Sequence, residues 1–267
     1  MKRCAMTTFQ IRTQKGFTLI EAVMVIAITG IIASMVAVFI ASPVKGYFDS
    51  ARRAELTDTA DTAIRRISRD VHLALPNSVR LVNPQVMEFL QTSTGSRYSV
   101  DGADPLDFSN PTDTTFNVLG PAVTLAAGDQ IVIYNLGIAG ADAYVGNNRR
   151  AYNGVGGTVT NVPIISTSAF PLDSPGHRFQ VVDTPVTYIC DLGAGTLTRY
   201  WGYTIVDPQP NPPAGNNALL AENVSNCTFT YTQGVTERSG LVSIQLAITQ
   251  DNETVSLYHA VQVSNVP

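Results

Sequence analysis

The hydrophobic pattern takes three forms in succession along the chain, and each predicts a different element. From Phe17 to Ala41 it is a continuous apolar run in which Glu21 is the only ionisable side chain, with Thr18, Thr29 and Ser34 the only hydroxyl-bearing ones. A helix absorbs such hydroxyls by bonding them to its own carbonyls. At about 1.5 Å per residue, a helix over this run spans roughly 37 Å, enough to cross a hydrocarbon core of about 30 Å. A lone carboxylate one turn inside such a helix costs a few kcal/mol, so Glu21 reads as a functional position with a partner to meet. Gly30 lies mid-run and Pro43 just beyond its end. Pro43 lacks an N–H and clashes with the carbonyl of Phe39, which predicts a bend or local melting there.

Between Tyr47 and Leu75 the period becomes helical and one-sided. Ala60, Ala63, Ile64, Ile67, Val71 and Leu75 recur at spacings of three or four, with Arg65, Arg66, Arg69 and Asp70 largely between them. Asp61 with Arg65 and Arg66 with Asp70 make i,i+4 pairs, read here as lying on the exposed side. Pro76 stops the helix. Beyond it the pattern alternates, with candidate strands at 78–82, 86–91, 130–136, 179–183, 186–190, 196–201 and 225–232. The segment Asp191-Leu192-Gly193-Ala194-Gly195 reads as a five-residue hairpin loop. Near the end Val242, Ile244, Leu246 and Ile248 alternate, a turn follows at 250–253, and Val255, Leu257, Val261 and Val263 resume. One face of this hairpin is expected against the stem helix. His259 takes an apolar-face slot and is expected to be half-buried and hydrogen-bonded.

Three stretches read as long surface loops: 99–113, which holds Asp101, Asp104, Asp107 and Asp113; the Gly- and Asn-rich 137–157; and the Pro-rich 207–217. Spaced aspartates raise the question of calcium, but the strict EF-hand loop is absent and turns use Asp freely.

Charge is unevenly distributed. Residues 1–16 hold Lys2, Arg3, Arg12 and Lys15 and no acid, so the other 13 of 17 basic residues face all 21 acidic ones, a balance of −8. Basic residues before an apolar span favour a cytoplasmic N-terminus and an exported remainder. A −8 body argues against a broad nucleic-acid surface and leaves only a local patch, for which Arg149 and Arg150 are the candidates. Of three cysteines, Cys4 lies in the basic leader, while Cys190 and Cys227 lie in the exported part, where a disulfide persists. The two sit in strand-like stretches with no competing metal-ligand spacing. That favours a bridge, with two separate buried thiols as the alternative. No cofactor or metal site is read from the sequence, and no catalytic motif stands out: G-x-S-x-G, H-E-x-x-H and the phosphate loop are missing, and His72, His177 and His259 are scattered.

The run is too long for an ordinary secretory signal, and a plain anchor does not explain Glu21. The basic leader, Gly16 before Phe17, Glu21 four residues later and the unbroken apolar stretch together resemble a type IV prepilin leader. The resemblance implies an α+β, pilin-like fold: a long N-terminal helix, transmembrane in its first half and amphipathic in its second, packed on an antiparallel β-sheet domain with long loops. It implies a leader at 1–16, a transmembrane helix at 17–41, a stem helix at 42–75 and an exported β-rich domain at 76–267. It also implies cleavage between Gly16 and Phe17 by a prepilin peptidase, N-methylation of Phe17, and Glu21 pairing with a neighbouring subunit's amino terminus. Other pilins and an inner-membrane assembly platform follow as partners.

The stretches 74–80, 219–229, 238–242 and 263–267, with the cysteine pair, are similar to O-type minor pilins of mannose-sensitive haemagglutinin (MSHA) pilus systems. They are similar more distantly to J-type minor pseudopilins of type II secretion. This implies a non-catalytic, low-abundance subunit that primes assembly or sits in a tip complex. A tip adhesin or ligand-binding module acting through the exported loops is the alternative.

Overall fold

The computed structural model describes residues 16–233 and 239–267. The basic leader positions Lys2, Arg3, Arg12 and Lys15, with Cys4, lie outside the described residues, as does Arg238. Helix α1 runs from Leu19 to His72 and is helical at every position, Gly30 and Pro43 included. The local melting expected at Pro43 is therefore absent. The helix gives up one backbone bond there and continues, because the turns on either side stay bonded. Contact between residues divides the chain into two units, Met1–Ala51 and Arg52–Pro267.

The first unit contains the apolar part of α1, in which every residue from 16 to 48 is exposed. Its most apolar window has a mean hydropathy of 2.7, and its length and composition suffice to cross a membrane. The hydroxyls are absorbed as expected: Thr29 Oγ1 donates to the Val25 carbonyl at 2.6 Å and Ser34 Oγ to that of Ile31 at 2.8 Å.

The second unit holds the rest of α1 and fourteen strands. In chain order these are β1 (Arg80–Asn83), β2 (Val86–Tyr98), β3 (Thr115–Leu119), β4 (Val123–Leu125), β5 (Gln130–Ile133), β6 (Arg149–Ala151) and β7 (Gly157–Val159). Then come β8 (Asn161–Pro163), β9 (Arg178–Asp191), β10 (Thr196–Trp201), β11 (Asn216–Ala221), β12 (Val224–Thr232), β13 (Gly240–Gln250) and β14 (Glu253–Val263). A nine-stranded sheet follows the path β11-β10-β9-β2-β3-β8, with β1 on β2 and β5 between β9 and β6. A second sheet is β12-β13-β14, and β4 pairs with β7. Every pairing is antiparallel. The architecture is α+β: one long N-terminal helix with antiparallel sheets against its second part.

The stem stripe packs as its spacing requires. Ala60, Ala63, Ile64, Ile67 and Val71 are buried, and Leu56 joins them one turn earlier. They meet Met87 and Phe89 of β2, Tyr188 of β9, Phe229 of β12, and Val242, Ile244 and Leu246 of β13 in one core. The final hairpin closes on Asp251 and Asn252 alone, both at positive φ (48° and 68°), the signature of a tight two-residue turn matched to strand twist. Cys190 of β9 and Cys227 of β12 form a disulfide with Cα atoms 6.0 Å apart. It joins the large sheet to the small one.

Four expectations change. The helix ends at His72 rather than Leu75, because Leu73 and Ala74 donate to Asp70 and Val71 in tight final turns and Ala74 then bridges to Gln91. The two strands expected at 179–183 and 186–190 are one strand, β9, which carries Pro185 opposite Leu90 while β2 shifts register beside it. The hairpin loop after β9 is four residues, since Asp191 pairs with Thr196. And 99–113 and 137–157 are not plain surface loops. Leu106, Ala143, Tyr144 and Tyr152 are buried, and Leu106 and Tyr152 join a second core around Tyr98, Phe116, Ile131 and Phe179.

Candidate functional site

The residues at the start of α1 are positioned by backbone chemistry. Thr18 precedes the first helical residue, and its Oγ1 accepts from the Glu21 amide at 3.3 Å. Glu21 thus holds the third helical position after a threonine cap, in the first turn, where a carboxylate is favoured by the unpaired amide groups of the helix N-terminus. That local role does not require the apolar surroundings. Leu19, Ile20, Val23 and Met24 about it are all more than half exposed, and Phe17 is 78 % exposed. No cation meets the Glu21 carboxylate among the described residues. At Gly16 a Cβ would meet nothing within 4 Å. Folding of the chain therefore imposes no glycine here, and a requirement for one has to come from something that approaches the backbone from outside.

Residues 11–37 match the family described as the prokaryotic N-terminal methylation motif. The motif covers the end of the basic leader, Gly16, Phe17, Glu21 and most of the apolar run, and it supports a type IV prepilin-like chain. Comparison with curated proteins and with solved structures gives no match.

Beneath the stem lies a buried polar cluster that hydrophobic periodicity did not reveal. Asp70, read from the sequence as exposed, is 3 % exposed. Its Oδ2 accepts from Arg199 Nε at 2.6 Å and from the Tyr188 hydroxyl at 2.7 Å, while Arg66 Nε stands 3.3 Å from Oδ1. Arg199 also lies over the Trp201 ring and donates to Gln91 at 3.2 Å. Burial and the adjacent carboxylate push the Tyr188 hydroxyl well above its ordinary range. This arrangement ties α1 to β9, β10 and β2 through groups whose burial requires each other. The pairing of Arg66 with a residue that faces inward was visible only as an i,i+4 spacing.

A second cluster holds the Pro-rich segment. Glu88, 1 % exposed, accepts from Arg80 Nε at 2.6 Å and from the Tyr203 hydroxyl at 2.8 Å. Arg80 in turn reaches Asp207 and the Val206 carbonyl, both at 2.8 Å, and lies 3.6 Å above the Tyr144 ring. Burial raises the Glu88 carboxyl above the usual carboxylate range, opposed by Arg80.

The remaining candidates divide plainly. Arg150 is 6 % exposed and donates to the carbonyls of Asn147, Arg149, Ser168 and Ala169, so it braces the second core and is not a nucleic-acid contact. Burial lowers the pKa of both Arg149 and Arg150. The aspartates of 99–113 serve turns and packing: Asp107 accepts from Ser109, Asp113 from the Asp107 amide, and Asp104 from Thr115 and Asn161. His259 is exposed rather than half-buried, and it lines a shallow groove beside Ile64, Arg65 and Arg69 of α1.

Proposed function

We propose that this chain is a minor pilin or pseudopilin, a non-catalytic subunit of a type IV pilus of the MSHA type, acting in pilus biogenesis, priming or tip-complex assembly. The observation that carries the reading is the methylation motif over residues 11–37, with Glu21 alone in an apolar helix that is exposed on all sides. A prepilin peptidase removes the leader 1–16 between Gly16 and Phe17 and methylates the new Phe17 terminus. Residues 17–41 hold the precursor in the inner membrane, with the N-terminus cytoplasmic and the domain of residues 76–267 periplasmic behind its stem at 42–75. Glu21 then pairs with the terminal amine of a neighbouring pilin, so each charge offsets the burial cost of the other. Gly30 and Pro43 are the places at which the helix yields on leaving the membrane.

Mass spectrometry of the mature protein tests this directly. An N-methylated Phe17 terminus is expected, and an intact Met1 would remove the basis of the reading. Glu21→Val is expected to leave the membrane-inserted precursor at normal level while abolishing incorporation into pili. A second reading, a ligand-binding tip module, draws on a cleft of about 500 Å³ on the outer sheet face, lined in part by Asn83, Gln85, Thr198, Tyr200, Asn211 and Pro212. Shortening the 207–215 segment separates the two, since it would remove surface attachment and leave pili intact only if the second holds.

A further inference from the structure

Most arginines of the second unit are used within it. Arg52, Arg53, Arg65, Arg66, Arg80 and Arg199 each meet a carboxylate, and Arg150 meets backbone carbonyls. Arg97, Arg149 and Arg178 differ, for none has a carboxylate or a hydrogen-bond acceptor for its side chain among the described residues. The sheet register gathers these three on one face. Arg97 of β2 is directly opposite Arg178 of β9. Gln180, two residues further along β9, is opposite Val132 of β5, and Val132 is opposite Arg149 of β6. Partners in an antiparallel ladder share a face, as do residues two apart on one strand.

Like charges directly opposite each other destabilise a ladder unless something bridges them. Arg97 and Arg178 are both exposed, and ladder geometry holds their Cα atoms about 4.5–5.5 Å apart. One carboxylate can therefore accept from both guanidinium groups. Arg149 lies two strand spacings beyond β9 and two residues along, about 14 Å from the midpoint of that pair. An extended chain advances about 3.4 Å per residue, so its positions four apart are also about 14 Å apart, and they point to the same side. Leu119 of β3 is opposite Arg97 and 54 % exposed, an apolar contact at the far end of the row. Gln180 lies between the cations. Its Oε1 is shielded and has no hydrogen-bond partner, so turning it onto a ligand N–H breaks no bond. Gly95, opposite Gln180, leaves the floor of the row bare.

We infer that this face docks an extended acidic segment of another protein, with two carboxylates four residues apart and an apolar side chain two residues before the first. The first carboxylate bridges Arg97 and Arg178, the second meets Arg149, and the apolar side chain covers Leu119. Other polyanions fit the row less well. No aromatic side chain stands in it to stack the bases of a single strand. Its few cations, on an acidic body, fall short of what duplex DNA takes. A peptide, in contrast, supplies both the apolar group for Leu119 and the backbone N–H for Gln180. This surface belongs to the sheet domain and is independent of how the leader is processed.

The test uses the full-length chain in detergent and a fluorescent synthetic peptide, Leu-Ser-Glu-Ser-Thr-Ser-Glu, with binding read by anisotropy at low salt. An isomer with the second glutamate moved one place earlier turns that carboxylate to the opposite side of an extended chain. The first peptide is expected to bind, and the isomer about tenfold more weakly. Arg97→Gln combined with Arg178→Gln is expected to weaken the first peptide about tenfold, and added salt to weaken it in the wild type. Arg69→Gln, which removes an arginine of the stem far from this row, is expected to change nothing. Removing one side of a like-charge pair does not destabilise the ladder, so an unfolding temperature no lower than wild type certifies the variants as folded. The inference is overturned if the peptide does not bind, if the isomer binds equally, or if the Arg97 and Arg178 changes have no effect. It is equally overturned if a heparin fragment or a thymidine oligonucleotide binds more tightly through the same arginines, which would make a polysaccharide or a nucleic acid the ligand.

Discussion

Replacing Arg199 with methionine isolates what the buried cluster under the stem contributes. The substitution keeps much of the aliphatic packing and removes the closest cation of Asp70, whose side chain is only 4 % exposed. Asp70 then retains the Tyr188 hydroxyl at 2.7 Å and Arg66 at 3.3 Å, the latter on a side chain 41 % exposed and therefore well screened. Breaking a buried ion pair from one side costs about 3–5 kcal/mol. The two surviving donors place Arg199→Met near the lower end, about 3 kcal/mol. For a domain of this size each kcal/mol corresponds to about 2–4 °C, so the midpoint is expected to fall by about 6–12 °C. Asp70→Leu combined with Arg199→Met removes both charges and is expected to recover more than half of that loss, since no uncompensated group remains. Circular dichroism melts of the full-length chain and its three variants complete the cycle. A drop below about 2 °C for Arg199→Met, or a double variant whose loss equals the sum of the single losses, would refute the argument that these groups act as a unit.

Two further predictions concern the sheet domain. Burial raises the Glu88 carboxyl above its unfolded value, so between those two values the folded chain binds a proton that the unfolded chain has released. Glu88's contribution to stability is accordingly full below about pH 4.5 and declines as pH rises through the raised value. Glu88→Gln should remove that slope, so the wild type loses stability relative to the variant from pH 4.5 toward neutrality; a constant difference in urea midpoints over that range would count against it. Cys190→Ser with Cys227→Ser opens a loop with a sequence separation of 37. Chain entropy for that closure predicts a loss of about 4 kcal/mol, read as a matching drop on adding reductant to the wild type, and no response to reductant in the double variant.

The elements that local periodicity controls were legible from the chain alone. The stem stripe from Ala60 to Val71 and the terminal hairpin each repeat at the period of their own backbone, so their buried faces follow from spacing, while the apolar run from Phe17 is marked by its unbroken length. The methylation motif was legible because it is a short contiguous pattern that needs no tertiary contact to be recognised. The short strands β3, β4, β6, β7 and β8 were not, because segments of three to five residues carry too little periodicity and exist only through partners distant in sequence. Asp70 shows the limit most clearly. Its spacing from Arg66 is that of a solvated helix pair, and only the arrival of Arg199, 129 residues later, turns it inward and makes its burial favourable. The amino-acid order thus determined which segment is long and apolar enough to cross a membrane and how the stem and the long strands face their core. Which charges are buried is set by long-range contacts, and those exist only in the folded chain.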